Sequence, residues 1–250
     1  MQGMSAQKAK RPARKSAAAR PARGKLPWRA WLVRGAKYAA MGFGGLVALF
    51  LLLVLLFAFV RPPTTPYMVA ESFRQGGVRH EWVAMDRIAP AMALAAVAAE
   101  DANFCTHWGL DLDAIRFAID SRLGGASTIS QQVTKNVYLW HGRSWLRKSL
   151  EALMTPVIEL FWSKRRILEV YLNIAEFDRG VFGVEAAAQH YFGTSAANLT
   201  NRQAALLAAI LPNPKERSPL DPSAFVNRRA SSIMDGAATI RGTARAACFS

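Results

Sequence analysis

Four short stretches carry polar residues in patterns that an ordinary helical core has no use for. In Glu100-Asp101-Ala102-Asn103-Phe104-Cys105-Thr106-His107-Trp108-Gly109 an acidic pair ends a wholly apolar run. A carboxyl set against an apolar wall has its pKa raised, which suits Glu100 to proton transfer. The plainer reading is a pair that merely ends a helix in solvent, although the helix dipole disfavours acids there; spacing alone leaves both open. In Gly125-Ala126-Ser127-Thr128-Ile129-Ser130-Gln131-Gln132-Val133-Thr134-Lys135-Asn136, helical spacing puts Thr128, Gln131 or Gln132, and Lys135 on one face. Hydroxyl, amide and ammonium donors together suit an anionic or sugar-like ligand, and a helix start behind Gly124-Gly125 favours an anion. A solvated polar face is the bland alternative. Arg147-Lys148-Ser149-Leu150-Glu151 places Arg147 and Glu151 at i,i+4, a spacing worth only about 0.2–0.5 kcal/mol as a surface pair. In Lys164-Arg165-Arg166-Ile167-Leu168-Glu169-Val170-Tyr171-Leu172-Asn173 the apolar positions read as core, while Glu169 and Asn173 brace the site. His107 has no second His or Cys at ligand spacing, so no metal site is expected.

Helices must hold these groups. Periodicity predicts them over residues 90–103, 111–123, 128–136, 143–162, 164–175, 184–192, 200–210 and 222–235. Ser127 or Thr128 caps the third and Ser163 the fifth. One strand signal lies at 78–83, and no repeat is visible. The expected organisation is an extended, proline-rich linker and domain start over 61–79, an α-rich domain over 80–235, and a disordered end over 236–250.

The chain has 250 residues, 52% of them hydrophobic, and a formal charge of +15 from 32 Lys+Arg against 17 Asp+Glu. So apolar a chain can bury a real core, and two cysteines exclude a disulfide framework or a four-cysteine zinc site. Eleven Lys/Arg and no acid fall in residues 1–37; beyond them 21 basic residues face 17 acidic ones, a net +4. The basicity belongs to a tail over residues 1–38, too poor in packing residues to fold. Residues 39–60 are uncharged. As a helix at about 1.5 Å per residue they reach roughly 33 Å, enough for a hydrocarbon core of about 30 Å. Val60-Arg61-Pro62-Pro63 follows in place of a small-residue cleavage site, so the expectation is an uncleaved anchor. The charge asymmetry puts the tail in the cytoplasm and residues 61–250 outside the inner membrane. No aromatic or helical recognition pattern in the tail supports nucleic acid as a partner.

Taken in order, Glu100-Asp101-x-x-Phe104-x-x-His107-x-Gly109, Gly125-x-Ser127-Thr128-Ile129-x-Gln131-Gln132-x-x-Lys135-Asn136, Arg147-Lys148-x-x-Glu151 and Lys164-x-x-Ile167-Leu168-Glu169-x-Tyr171-Leu172-Asn173 resemble the family 51 glycosyltransferases, which polymerise lipid II into peptidoglycan strands. Gly180-Val181-Phe182-Gly183-Val184-Glu185-Ala186-Ala187-Ala188 and Leu211-Pro212-Asn213-Pro214 extend the similarity over roughly residues 80–220, and the pattern is nearest the monofunctional, single-span members. The resemblance implies an all-α, mainly helical, lysozyme-like extracytoplasmic domain behind one N-terminal transmembrane helix. It implies Glu100 as general base and Glu151 as a second essential acid, with Lys135, Arg147 and Lys148 facing a pyrophosphate. Ser127, Thr128, Gln132 and Asn136 would line the donor site; Asp101 and His107 would position it, and Phe104 would pack. The implied partners are lipid II, the growing strand on undecaprenyl pyrophosphate, the membrane, and cell-wall synthesis or division proteins. No cofactor is required beyond a divalent cation, Mg or Mn, that often assists the family. Cys105 fills a variable position, which leaves a bridge to Cys248 open. Trp140 and Trp145, beside basic residues, are expected in a membrane-dipping lobe. Two other functions remain at this stage: a lysozyme-like hydrolase, which would not need Lys135 and Arg147, and an inactive assembly scaffold.

Overall fold

The structure, a computed structural model, describes residues 28–121, 127–142 and 144–250. The basic tail up to residue 27, Gly124-Gly125 and Arg143 lie outside the described residues. The chain divides into two compact units, Met1–Val47 and Ala48–Ser250.

Helix α1 (Trp28–Phe59) is one helix long and apolar enough to cross a membrane. It begins before the expected residue 39 and takes in Arg29, Arg34 and Lys37, because no Pro or capping residue interrupts 28–38. Where an extended linker was expected, the structure has helix α2 (Pro66–Gln75). Its signals are local and strong: Thr65 caps the Met68 N–H, Pro66 occupies the first position, and Gly76 at φ 72° stops the helix. Strand β1 (Arg79–His80) and a 3-10 turn at Met85–Arg87 lead into α3 (Pro90–Glu100), α4 (Leu112–Ser121), α5 (Ile129–Tyr138), α6 (Trp145–Phe161) and α7 (Lys164–Ile174). A hairpin of β2 (Glu176–Asp178) and β3 (Val181–Phe182) follows, then α8 (Val184–Phe192), α9 (Asn201–Ile210) and α10 (Ala224–Arg241). The sheet order is β1-β3-β2, with β3 parallel to β1 and antiparallel to β2. The expected mainly helical class holds, with this small sheet added.

Two helical groups carry the core. The alanine-rich α3 packs against α9 and α10, and α5 packs against α6 and α7. Small side chains let α3 approach its neighbours closely, while Met92, Tyr171, Phe177, Phe182 and Leu207 fill the interior. Each large apolar side chain so buried contributes about 1.5–3 kcal/mol. Asn173 ties the segment behind the site to α7: its side chain donates to the Val83 carbonyl and accepts from the Val83 N–H, both at 2.8 Å.

The second half of α1 belongs to this packed unit. Val54 is buried, and its carbonyl accepts from Trp162 Nε1 at 2.7 Å. The Arg166 guanidinium donates to the Phe57 and Val60 carbonyls at 2.8–3.1 Å, satisfying acceptors that a helix end leaves open. Phe50 and Phe57 lie against Tyr138.

The C-terminal end differs from the expectation of disorder after residue 235. Helix α10 continues to Arg241, a 3-10 turn covers Ala244–Ala246, Cys248 is disulfide-bonded to Cys105, and Phe249 is buried near Phe104. A covalent tie and one buried aromatic hold a segment whose composition alone suggests fraying. The helix expected over residues 111–123 is observed as α4 from Leu112 to Ser121, and residues 122 and 123 lie outside the described residues.

Candidate active site

Helix α3 delivers Glu100 at its last residue. The side chain stands on the wall between two cavities of about 260 Å³ each. Gln132 Nε2 donates to Glu100 Oε2 at 2.9 Å. Burial holds the Glu100 carboxyl above its ordinary value, even with Gln132, Arg229 and Lys135 pulling it down and Asp101 adding a small push upward.

The segment after Glu100 is folded onto the start of α5. Asp101 accepts from the Ile129 N–H at 3.0 Å and from His107 Nε2 at 2.8 Å. Phe104 is fully buried, with the Lys164 ammonium 4.5 Å from its ring centre. Gly109 sits at φ +79°, where a Cβ would lie 2.6 Å from Thr155 Cγ2; its carbonyl accepts from Thr128 Oγ1 at 2.6 Å. No other residue type fits there.

A reciprocal cap of Thr128 and Gln131 starts α5, and both side chains are buried. The Thr128 hydroxyl is therefore engaged at the edge of a cavity. Of the paired glutamines, Gln132 is the one that lines the Glu100 cavity, with Lys135 and Asn136 beyond it. Asn136 Oδ1 is buried and unpartnered. Burial pushes the Lys135 ammonium below its ordinary value; Glu151 opposes this, and Arg147 and Lys148 add to it.

Ser144 caps α6, and the first turns of that helix form a cation cluster around a buried acid. Glu151, 3% exposed in its side chain, pairs with Arg147 at 2.8 Å and with Lys148. Lys148 also donates to Ser127 Oγ at 3.0 Å, and Arg147 Nε to the Gly142 carbonyl at 2.8 Å. The i,i+4 spacing thus marks a buried ionic cluster here, well beyond a surface pair.

The opposite wall of the cavity went unnoticed in the sequence. Tyr67 of α2 stacks on His141, ring centres 3.6 Å apart, and donates to Glu176 at 2.5 Å. Lys215 pairs with Glu71 at 3.0 Å and Glu176 at 3.3 Å. Desolvation against this wall, with Lys135, Arg147 and Lys215 near, lowers the His141 imidazole to about 4. It is neutral at neutral pH. Together the cavity offers the carboxylates of Glu100 and Glu176, an amide pair and the Lys135 ammonium, the kinds of group that the transfer of a sugar from an anionic leaving group would require.

The family model described as Transglycosylase matches residues 68–238. The chain belongs to the transglycosylase family. A relative from Jannaschia sp. (strain CCS1), named biosynthetic peptidoglycan transglycosylase, is 60% identical over 222 residues, covering 88% of this chain and 90% of its own. Relatives of the same name from Caulobacter vibrioides and Pasteurella multocida are 46% and 48% identical, over 81% and 76% of this chain and 94% and 82% of their own.

In this transglycosylase the sequence-predicted residues gather in one region. Glu100, Gln132, Lys135 and Asn136 share a cavity; Ser127 and Thr128 line the second cavity with Glu100 and Asp101; Arg147, Lys148 and Glu151 form one cluster. Phe104 and His107 stand behind them in the folded segment. The residues missed are Tyr67, His141, Glu176, Lys215 and Arg229, for which long-range contact rather than spacing was the signal.

Among the described residues at the site, the donor sets do not form a cage for a divalent cation. Both Glu151 oxygens are held by cations. Among the described residues, Asp101, His107 and Asp111 bring ligand atoms within 4.8 Å of one another. All four of their carboxylate oxygens already accept from His107, the Ile129 N–H, the Ala114 N–H or Asn103. That trio is a hydrogen-bonded brace.

Proposed function

We propose that the chain polymerises lipid II into β-1,4-linked glycan strands with inversion, releasing undecaprenyl pyrophosphate. The observation that carries this reading is a desolvated carboxylate, Glu100, sharing a cavity with Lys135 beside the Arg147–Lys148–Glu151 cluster. In the reaction, the 4-hydroxyl oxygen of the acceptor sugar attacks the anomeric carbon of the donor. Its proton passes to a Glu100 carboxylate oxygen. The anomeric carbon–oxygen bond breaks, and its electron pair stays on the pyrophosphate. Lys135 and Arg147 meet that developing charge, Arg147 by its fork and Lys135 as a point charge. Glu151 orients Arg147 and Lys148, while Ser127, Gln132 and Asn136 line the donor site. Thr128 shapes that site through the backbone it caps. Asp101 and His107 position the segment that carries the base, and Phe104 packs beneath it.

The proposed address is the inner membrane, crossed once by α1, with the tail in the cytoplasm and the catalytic unit outside. Residues 39–60 supply the uncharged span and 1–38 the cytoplasmic tail. Exposed Trp140, Trp145, Leu146 and Leu153 supply a lipid-facing lobe. Incubation of the protein with lipid II tests the reaction: long glycan strands are expected. Cutting of preformed polymer with no strand synthesis would show a lysozyme-like hydrolase instead.

A further inference from the structure

Helix α10 takes no part in the chemistry above, yet it touches the base. Arg229 Nη2 donates to the Ala99 carbonyl at 3.3 Å and lies 3.8 Å from Glu100 Oε1. Its Nε is buried without a partner. Arg229 lines neither cavity, and it faces Glu100 Oε1 while Gln132 holds Oε2.

The other groups facing this carboxylate come from three places. Gln132 and Lys135 come from α5, Asp101 is next in the chain, and the buried Tyr171 of α7 stands close enough to feel both acids. Helix α9 has one charged residue, Arg202, which bonds Asn227 of α10. On α10 itself Arg228, Asp235 and Arg241 are exposed. Two cations therefore act on Glu100. Lys135 shares its cavity with the substrate, and a bound pyrophosphate would draw its charge. Arg229 is not exposed to that competition. An opposite charge within about 4–6 Å favours the ionised form of a carboxyl.

We propose that Arg229 is a positioning residue of the reaction, holding the Glu100 carboxylate as an anion ready to take the acceptor's proton while Lys135 is occupied by the leaving group. The inference rests on the polymerising reaction proposed above. It gives α10 a role at the site: that helix seats the cation that backs the base.

The test is the pH dependence of kcat/KM for lipid II polymerisation by the full-length protein, by Arg229→Gln and by Arg229→Lys. In Arg229→Gln the acid limb is expected to move up by about one pH unit, a roughly tenfold loss on its acid side that recovers as pH rises. Arg229→Lys, which keeps the charge, is expected to hold the limb near its wild-type place. A uniform loss in Arg229→Gln with an unmoved limb means a purely structural role and overturns the inference. If Arg229→Gln does not fold, infrared titration of the wild type, with Glu100→Gln subtracted, replaces it. A carboxylate band from Glu100 at pH 7 is expected, and a protonated carboxyl band there overturns the proposal. A wild type that makes no polymer at any pH overturns the functional reading itself; normal polymerisation with an unmoved limb overturns only the role of Arg229.

Discussion

Glu100 is ionised most readily in water, and the fold keeps most of the water away from it. A carboxyl whose pKa is raised by folding adds stability that is fully present below its unfolded value and is lost as pH rises through the folded value. At neutral pH the charged form is therefore a cost to the fold. Glu100→Gln is expected to melt at the same temperature as wild type or higher at pH 7, with the difference vanishing in acid, as thermal unfolding at both pH values would show. Activity has the opposite dependence: it falls as pH drops through the raised Glu100 value, so the acid limb lies above the ordinary carboxylate range. Glu151 has two cation partners, Arg147 and Lys148. Glu151→Ala leaves Arg147 and Lys148 without their counter-charge and is expected to cost about 3 kcal/mol in urea unfolding. Added inorganic pyrophosphate should recover part of that loss, and more in the variant than in wild type. The spacing of Glu100, Lys135 and Arg147–Glu151 was readable because helical periodicity places residues locally. Arg229 and Tyr67 were not, because only the folded chain brings residues 129 and 74 positions away to Glu100 and His141.

At the scale of elements, each helix over the motif region was legible where a cap or a proline marked its start. Thr128, Ser163 and Thr200 cap helices as their residue types demand. The same rules apply to Thr65-Pro66, but a proline-rich run reads as linker until α2 is seen closing the cavity with Tyr67. The β2–β3 hairpin is too short for a period to register. Composition misled at the C-terminus, where the order comes from a bridge spanning 143 residues of sequence. Reduction of that bridge, or Cys248→Ser, is expected to lower stability by about 2–4 kcal/mol, measured as unfolding with and without reductant. Gly109→Ala strikes the same folded segment from the other side. With a positive φ and a Cβ inside contact distance of Thr155, it is expected to cost about 2–3 kcal/mol by urea unfolding.

Across the whole molecule, the +15 charge divides into a tail that accounts for most of the excess and a nearly balanced remainder. In that remainder Arg147 and Lys148 pair with Glu151, and Lys215 pairs with Glu71 and Glu176. The hydrophobic excess divides too, into the apolar helix α1 and an exposed set that includes Trp145, Leu146 and Leu153. The end of α1 is built into the packed unit through Arg166 and Trp162, so Arg166→Ala is expected to expose residues 61–65 to limited proteolysis without changing the core. These parts serve one claim, that Glu100 is the base of a lipid II polymerase. The most direct measurement is strand formation from lipid II by Glu100→Gln, in protein shown by thermal unfolding to be folded. Loss of polymer with the fold kept is the expected result for a catalytic base. Undiminished strand synthesis by that variant would contradict it.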